Sequence, residues 1–263
     1  MIATARYELR MMLRKRSTWL TNGVVVLLLA LVSFRQLGDA LRDENVRATM
    51  ASSAFLLNLL LPVGYGCLLA DRLIRDARLG VAPILDATPA SPAGRLAGKY
   101  LGVCAAAAAP IAVVYFGFAA AYAVTSGRPI ALAWAAAAFA VVLAPAVLFV
   151  AAFALTVPLI MPAPLFRVLF VGYWFWGNAI GPTAMPTTAQ SLVAPIGDYP
   201  SQELLGWKGD GSFNPAGPVP GASLNFLRPD ATPATAWLSI GVLVAVAALV
   251  LAATQTLRAR STR

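Results

Sequence analysis

Long apolar stretches alternate with short polar ones along the chain, and this pattern predicts membrane-spanning helices. A helix needs about 20 mainly apolar residues to cross the hydrocarbon core of a bilayer. We predict an all-α polytopic membrane protein with six transmembrane helices, at about 19–34, 52–70, 97–124, 130–157, 165–183 and 234–256. Pro145 lies inside the fourth of these and removes one backbone hydrogen bond, which predicts a kink there.

The first 18 residues have the pattern of an amphipathic helix at the membrane interface. Apolar residues fall on one helical face: Ile2, Leu9, Leu13 and Leu20. Basic residues recur every four positions beside that face: Arg6, Arg10 and Arg14. We predict an interfacial helix with its basic side toward anionic lipid headgroups. The alternative is a run of topogenic positive charge before the first span.

The polar segments between the spans predict which side of the membrane each loop faces. Lys and Arg collect in cytoplasmic loops, which places the basic segment 71–96 and both chain termini in the cytoplasm. The loop 35–53 balances its charges and is expected outside. The long segment 184–233 is rich in Pro and Gly, which resist long helices, and is also expected outside, with a short helix near Ser201–Trp207. We interpret residues 1–263 as a single transmembrane domain.

The composition excludes several classes of function. Hydrophobic residues make up 59% of the chain and charged residues 12%, against about 25% charged in soluble domains. The net charge of +9 therefore reflects cytoplasmic loops rather than a nucleic-acid partner. The chain has no histidine, and Cys67 and Cys104 lie in apolar stretches, so we predict no metal site.

The chain also lacks the groups that a membrane enzyme or an ion-driven transporter needs. No Asp, Glu, Lys or Arg lies deep inside a predicted span, where such groups mark ion and proton pathways. No phosphate-binding loop of the GxxxxGK[ST] type is present. We predict that the chain is not itself an enzyme, and that any uphill transport takes its energy from another polypeptide.

The segment after the second span resembles the permease subunits of the ABC type-2 exporter family. The resemblance rests on ILDATPASP at residues 84–92, followed by the residues that lead into the third span: Arg95, Gly98, Lys99, Tyr100 and Gly102. The amphipathic N-terminus and the count of six spans are similar to that family as well. In this family a re-entrant helical hairpin often precedes the last span, at the place that 184–233 occupies here.

The resemblance implies a permease subunit of an ATP-binding-cassette transporter, most consistent with an exporter in a bacterial inner membrane. Its partners would be a separate nucleotide-binding ATPase, which would hold the ATP and magnesium, and a second permease subunit. This chain would carry no cofactor. The coupling segment that docks on the ATPase would contain Asp71, Arg72, Arg75, Asp76, Arg78, Asp86, Thr88, Pro89 and Ser91.

An aromatic cluster in the fifth span is a candidate for the substrate path. It contains Tyr173, Trp174 and Trp176, with Asn178 just beyond them. At about 1.5 Å per residue, these rings lie deeper than an interfacial aromatic belt. They either line the path of an amphipathic substrate or pack a dimer interface. Asn58 and Asn178 are buried amides in lipid, for which we predict hydrogen bonds between helices.

A second class of function fits the same lack of catalytic, ion-binding and ATP-binding groups. A membrane scaffold or assembly factor without transport activity would also lack catalytic groups. The sequence leaves the transported substrate, the direction of transport and the choice between a homodimer and a heterodimer open.

Overall fold

The computed structural model of this chain describes residues 2–14, 23, 45–78, 80, 91–209 and 216–261. Within its helices, the side chains of residues 13, 76–78 and 257–261 lie outside that description. The predicted first span, at 19–34, falls outside the described residues except for Gly23.

The regular structure of the described residues is all-helical, which confirms the all-α part of the predicted fold class. Its helices, in chain order, are α1 (Ile2–Leu13), α2 (Val46–Leu69), α3 (Arg72–Arg78), α4 (Pro92–Ser126), α5 (Ile130–Leu159), α6 (Ala163–Asn178) and α7 (Pro233–Ser261). The described residues also contain four short turns of other helix types. Two lie inside α5, a π turn at Phe139–Leu143 and a 3-10 turn at Val157–Leu159, and two lie outside it, a π turn at Pro200–Leu204 and a 3-10 turn at Asn225–Leu227.

Within the described residues, four helical stretches are long and apolar enough to cross a membrane, and they coincide with the second, third, fourth and sixth predicted spans. They are Val46–Arg75, Pro92–Ser126, Ile130–Leu159 and Pro233–Thr256. The fifth predicted span, 165–183, is too long, because α6 has 16 residues and ends at Asn178. Gly181 and Pro182 follow closely, and neither residue favours a helix. The count of six spans stays a prediction.

Helix α2 begins earlier than the loop predicted at 35–53 allows. Asn45 precedes the helix, and its side-chain oxygen accepts a hydrogen bond from the backbone N–H of Ala48 at 3.2 Å. An asparagine in this place satisfies one of the backbone donors that a helix start leaves free. The residues from Val46 to 53 therefore belong to the helix.

Helices α4 and α5 form a tight antiparallel pair. Gly127 ends α4 with φ of 68°, a left-handed conformation that glycine adopts at little cost. The hydroxyl of Tyr100, near the start of α4, donates to the carbonyl of Leu148 in the second half of α5 at 2.9 Å. The hydroxyl of Tyr115 donates to Met50 of α2, also at 2.9 Å. Both tyrosines are buried in the core that the helices share.

Helix α5 accommodates Pro145 through a π-helical turn. Proline has no N–H to donate to the carbonyl four residues earlier. Residues Phe139–Leu143 form the π turn, and the N–H of Ala144 bonds to the carbonyl of Phe139, five residues back. The wider turn lets the helix continue past Pro145. The irregularity of the helix at this proline is therefore a π turn.

Helix α1 packs against the first half of α4. Gly102 of α4 lies so close that a Cβ atom there would stand 2.5 Å from the carbonyl oxygen of Ala5. Beside this contact, Lys99 pairs with Glu8 at 3.6 Å, with side chains only 8% and 7% exposed. Of the predicted apolar face, Leu9 joins the core and Ile2 is exposed. Arg6 and Arg10 of this helix are exposed, and so is Arg14, which follows its last residue. Its location at a membrane surface stays a prediction.

Candidate functional site

The start of the predicted coupling segment is tied to helix α6 by an ion pair. Asp71 lies in the turn between α2 and α3, and its carboxylate accepts a hydrogen bond from the guanidinium of Arg167. Arg167 also donates through Nε to the carbonyl of Cys67 at 3.1 Å. One arginine of α6 thus holds both the last turn of α2 and the first residue before α3.

Helix α3 lies against the rest of the fold instead of projecting away from it. Leu73 is 5% exposed and belongs to the core, and Arg72 is also 5% exposed. Arg75 is half-buried. The helix contacts the last turn of α5, at Val157–Leu159. We name this group, Asp71 to Arg78 with Arg167 and Val157–Leu159, the α3 junction. A displacement of α3 would act directly on the ends of three longer helices: α2, α5 and α6.

The other predicted coupling residues are described only in part. Ser91 caps α4, because its hydroxyl accepts a hydrogen bond from the N–H of Gly94 at 3.1 Å. Asp76 and Arg78 belong to α3, but their side chains lie outside the described part. Three more lie outside it altogether: Asp86, Thr88 and Pro89.

The aromatic cluster of α6 divides between the interior and the surface of the protein. Trp174 is fully buried, and its indole N–H donates to the carbonyl of Leu59 in α2 at 2.7 Å. Tyr173 is exposed and Trp176 is half-buried, with their ring centres 6.0 Å apart. Asn178 is buried and donates to the carbonyl of Trp174 in its own helix, so the hydrogen bond between helices predicted for it is not formed in the described structure. Trp174 therefore packs inside the protein, whereas Tyr173 and Trp176 reach a surface.

A second candidate site lies in the segment that was predicted outside the membrane. Residues 187–199, here the inserted segment, have no regular helix, yet they are packed between helices. The side-chain amide of Asn58 donates to the carbonyls of Pro195 and Ile196, each at 2.9 Å. Ser239, near the start of α7, donates to the carbonyl of Leu192 at 2.9 Å. The prediction that Asn58 forms a hydrogen bond to another helix is wrong, because the amide donates to the carbonyls of Pro195 and Ile196 in the inserted segment.

The inserted segment reaches far along the spanning helices. Asn58 is about 18 Å from the first residue of α2, at the usual helical rise. Gly197, with φ of +91°, lies against Val142, where a Cβ would come within 2.8 Å of the valine side chain. Val142 is likewise about 18 Å into α5. Irregular backbone at membrane depth is tolerated where protein groups or a water-filled cavity satisfy it, and here the side chains of α2 and α7 do so.

The residues after the inserted segment close over the start of α2. Arg47 donates through Nε to the carbonyl of Leu204 at 3.1 Å, and its guanidinium lies 5.1 Å from the ring centre of Trp134 in α5. The ring of Trp207 packs on Phe55 of α2 at 4.5 Å. The short helix predicted near 201–207 is present as the π turn Pro200–Leu204.

Two charged residues of this region, Asp198 and Arg228, have no counterpart among the predicted site residues. Both stand in a stretch rich in Pro and Gly, and their burial depends on contacts that no local pattern encodes. A charged residue in a segment otherwise built from small and apolar residues is the one signal that could have singled them out.

Helices of spanning length around a shared apolar core define an all-helical membrane protein. No protein-family model matches the sequence, and no curated protein matches it. Within the described residues, no group of three or more Cys, Asp or Glu side chains is placed to hold a metal ion.

Proposed function

We propose that this chain is the membrane-spanning permease subunit of an ATP-binding-cassette transporter. It works as an exporter, driven by a separate nucleotide-binding ATPase that docks on the loop between the second and third predicted spans. A second permease subunit completes the transporter. The proposal places the chain in a bacterial inner membrane with both termini in the cytoplasm, and places ATP and magnesium in the ATPase.

The α3 junction is the observation that carries this proposal. A permease without its own motor needs an element that receives movement and passes it to the spans. Helix α3 is short and basic, follows a spanning helix after a single turn, and is tied through Asp71 to Arg167 of α6. It also contacts the end of α5. A displacement of α3 would therefore be transmitted to α2, α5 and α6 together.

The ion pair between Asp71 and Arg167 is better suited to transmitting a movement of α3 than to stabilising the fold. The side chains of Arg167 and Asp71 are 38% and 42% exposed, and partly exposed pairs contribute about 0–1 kcal/mol. Such a pair can break and re-form during a cycle at little cost. It fixes the orientation of α3 relative to α6 without locking it.

The first experiment tests the partner. The chain is co-expressed with the ATP-binding-cassette ATPase encoded nearest to its gene, and the complex is purified in lipid nanodiscs. Arg75→Glu in α3 is expected to abolish co-purification and stimulated ATP hydrolysis. The matched control is Arg128→Glu in the turn between α4 and α5, at the opposite end of the helices, which should retain both. If the wild-type chain forms no complex with the ATPase, the proposal fails and the scaffold function is favoured.

The second experiment tests the link inside the permease. Arg167→Asp is expected to leave the ATPase bound but to lower ATP-driven transport, because two carboxylates then face each other. The exchange of both charges, Asp71→Arg with Arg167→Asp, should recover most of the transport. Equal transport by the single and the double variant would show that the pair does not transmit movement.

A further inference from the structure

The 3-10 turn Asn225–Leu227 carries an aromatic ring on the surface of the protein. The side chain of Phe226 is 78% exposed, and no aromatic side chain among the described residues is more exposed. Removing such a ring from water is favourable, because it is large and entirely apolar. The fold itself does not bury this ring, so the surroundings of the protein decide whether it stays in water.

Hydrogen bonds fix the loop that carries Phe226 on both sides of the ring. The side-chain oxygen of Asn225 accepts a hydrogen bond from the backbone N–H of Val219 at 3.0 Å, and its amide donates to the carbonyl of Val219 at 2.7 Å. The backbone N–H of Arg228 donates to the carbonyl of Asn225 at 2.9 Å. The exposure of Phe226 is therefore a property of a bonded turn.

The same loop is bound to the first part of the inserted segment. The guanidinium of Arg228 is 1% exposed and donates through Nε to the carbonyl of Ala189 at 3.0 Å and through Nη2 to the carbonyl of Thr187. Asp198 supports the same turn, because its carboxylate accepts a hydrogen bond from the backbone N–H of Gln190 at 3.2 Å. The place of the loop is therefore coupled to the segment that packs between the helices.

Leu192 sets the level of this turn along helix α7. Its backbone N–H donates to the carbonyl of Leu227 at 3.0 Å, and its carbonyl accepts a hydrogen bond from the hydroxyl of Ser239 at 2.9 Å. Ser239 lies about 9 Å into α7 at the usual helical rise. Phe226 directly precedes Leu227, so its turn lies near the level of the second turn of α7.

At this level the surface of α7 changes from polar to apolar. Thr232 and Thr235 bond to each other at the start of the helix, each backbone N–H donating to the hydroxyl of the other residue. Trp237 and Leu238 follow, 58% and 52% exposed, and the next charged residue is Arg258. Because α7 is long and apolar enough to cross a membrane, this exposed face contacts lipid. Tryptophan is enriched where a spanning helix leaves the hydrocarbon core, so Trp237 marks the membrane–water interface.

We propose that Phe226 is a lipid anchor, whose ring inserts into the bilayer at the interface marked by Trp237. Lipid fits this position better than a protein partner does, because the turn lies level with the lipid-facing surface of a spanning helix. The anchor holds the loop 219–228 against the bilayer and, through Arg228, holds the inserted segment as well. It involves none of the residues of the α3 junction, so it stands or fails independently of the ATP-driven function.

Spin labelling tests where the ring lies. Phe226→Cys and the control Asp230→Cys are made in a chain with Cys67→Ala and Cys104→Ala, labelled with a nitroxide, and placed in liposomes of phosphatidylcholine and phosphatidylglycerol. Collisions of the nitroxide with oxygen, which concentrates in the bilayer, are compared with collisions with a water-soluble nickel chelate. Oxygen is expected to dominate at position 226, and nickel at position 230, where the carboxylate is exposed.

Two results of this measurement overturn the proposal. Nickel collisions that dominate at position 226 would place the loop in water. Low accessibility of position 226 to both reagents would show that protein, such as a second copy of this chain, covers the ring.

Photocrosslinking tests the same contact with both native cysteines in place. Phe226→p-benzoylphenylalanine keeps an aromatic ring at this position, and the full chain is irradiated in the same liposomes. A phospholipid adduct, detected by mass spectrometry, is expected at position 226 and not when the same amino acid replaces Asp230. The proposal fails if position 226 gives no lipid adduct, if it crosslinks two copies of the chain instead, or if both positions give equal yields.

Discussion

The side-chain amide of Asn58 lies 2.9 Å from the carbonyl oxygen of Ile196 and donates a hydrogen bond to it, across 138 positions of sequence. The amide is 2% exposed, so water cannot replace it. This one contact joins the middle of a spanning helix to a segment without regular structure. Such a segment stays between helices only while its backbone groups have partners.

Replacing Asn58 should therefore destabilise the inserted segment more than it destabilises the helix itself. Asn58→Leu keeps the volume of the side chain but leaves the carbonyls of Pro195 and Ile196 without their donor. Leaving a buried acceptor unsatisfied costs about 1–3 kcal/mol. We expect a loss of that size in the free energy of unfolding, measured by titration with SDS in lipid–detergent micelles.

The control for this prediction is Asn178→Leu. Asn178 is also buried, but its amide bonds within its own helix, and its side-chain oxygen has no partner among the described residues. Its replacement should change the free energy of unfolding by less than about 1 kcal/mol. Equal losses for the two variants would contradict a special role for Asn58.

A methyl group at position 102 should detach α1 from α4. In Gly102→Ala the new Cβ would stand 2.5 Å from the carbonyl oxygen of Ala5, and a backbone atom cannot rotate out of the way. Overpacking of this kind costs about 1–3 kcal/mol. Hydrogen exchange of residues 2–13 is expected to rise by about tenfold, since about 1.4 kcal/mol corresponds to that factor.

Gly117 offers a matched control in the same helix, because a Cβ there meets nothing within 4 Å. Gly117→Ala should leave the exchange of α1 unchanged. If both alanine variants behave alike, close packing at Gly102 is not what holds α1.

Replacing Lys99 should lower the free energy of unfolding, because it leaves the buried carboxylate of Glu8 without its partner. Glu8 and Lys99 are both nearly inaccessible and lie 3.6 Å apart. Breaking a buried pair by removing one partner costs about 3–5 kcal/mol, whereas replacing both partners costs much less. In SDS titration, Lys99→Met is thus expected to be less stable than the double variant with Glu8→Gln. A double variant as unstable as the single one would mean that Lys99 acts through packing alone.

We expect a substitution of Trp174 to destabilise the protein and a substitution of Trp176 to leave its stability unchanged. Trp174→Phe removes the indole N–H that bonds to Leu59 of α2, and a lost hydrogen bond of this kind costs about 0.5–1.5 kcal/mol. Trp176 is half-buried, so Trp176→Phe should leave the thermal midpoint unchanged. A reversed order of stability would place Trp176, rather than Trp174, at the packed contact.

The local pattern of apolar and polar residues predicts the helices of spanning length and several of their ends. The apolar stretches at 52–70, 97–124, 130–157 and 234–256 each lie almost entirely within a helix of spanning length. Proline and glycine around 184–233 indicate a region without long helices, and its described residues, 184–209 and 216–232, contain none. Asn45 shows the limit of this approach, since its capping role extends α2 into residues that their polar character had assigned to a loop.

The sequence by itself determined that this protein is built from apolar helices, because hydrophobic period and length are properties of neighbouring residues. Only the tertiary structure decided that Asp71 meets Arg167, 96 residues away, that Asn58 meets Ile196, and that Asp198 shares a turn with Arg228. Each of these contacts depends on where a distant segment packs. A buried polar group takes whichever partner the packing supplies, and no local pattern records that choice.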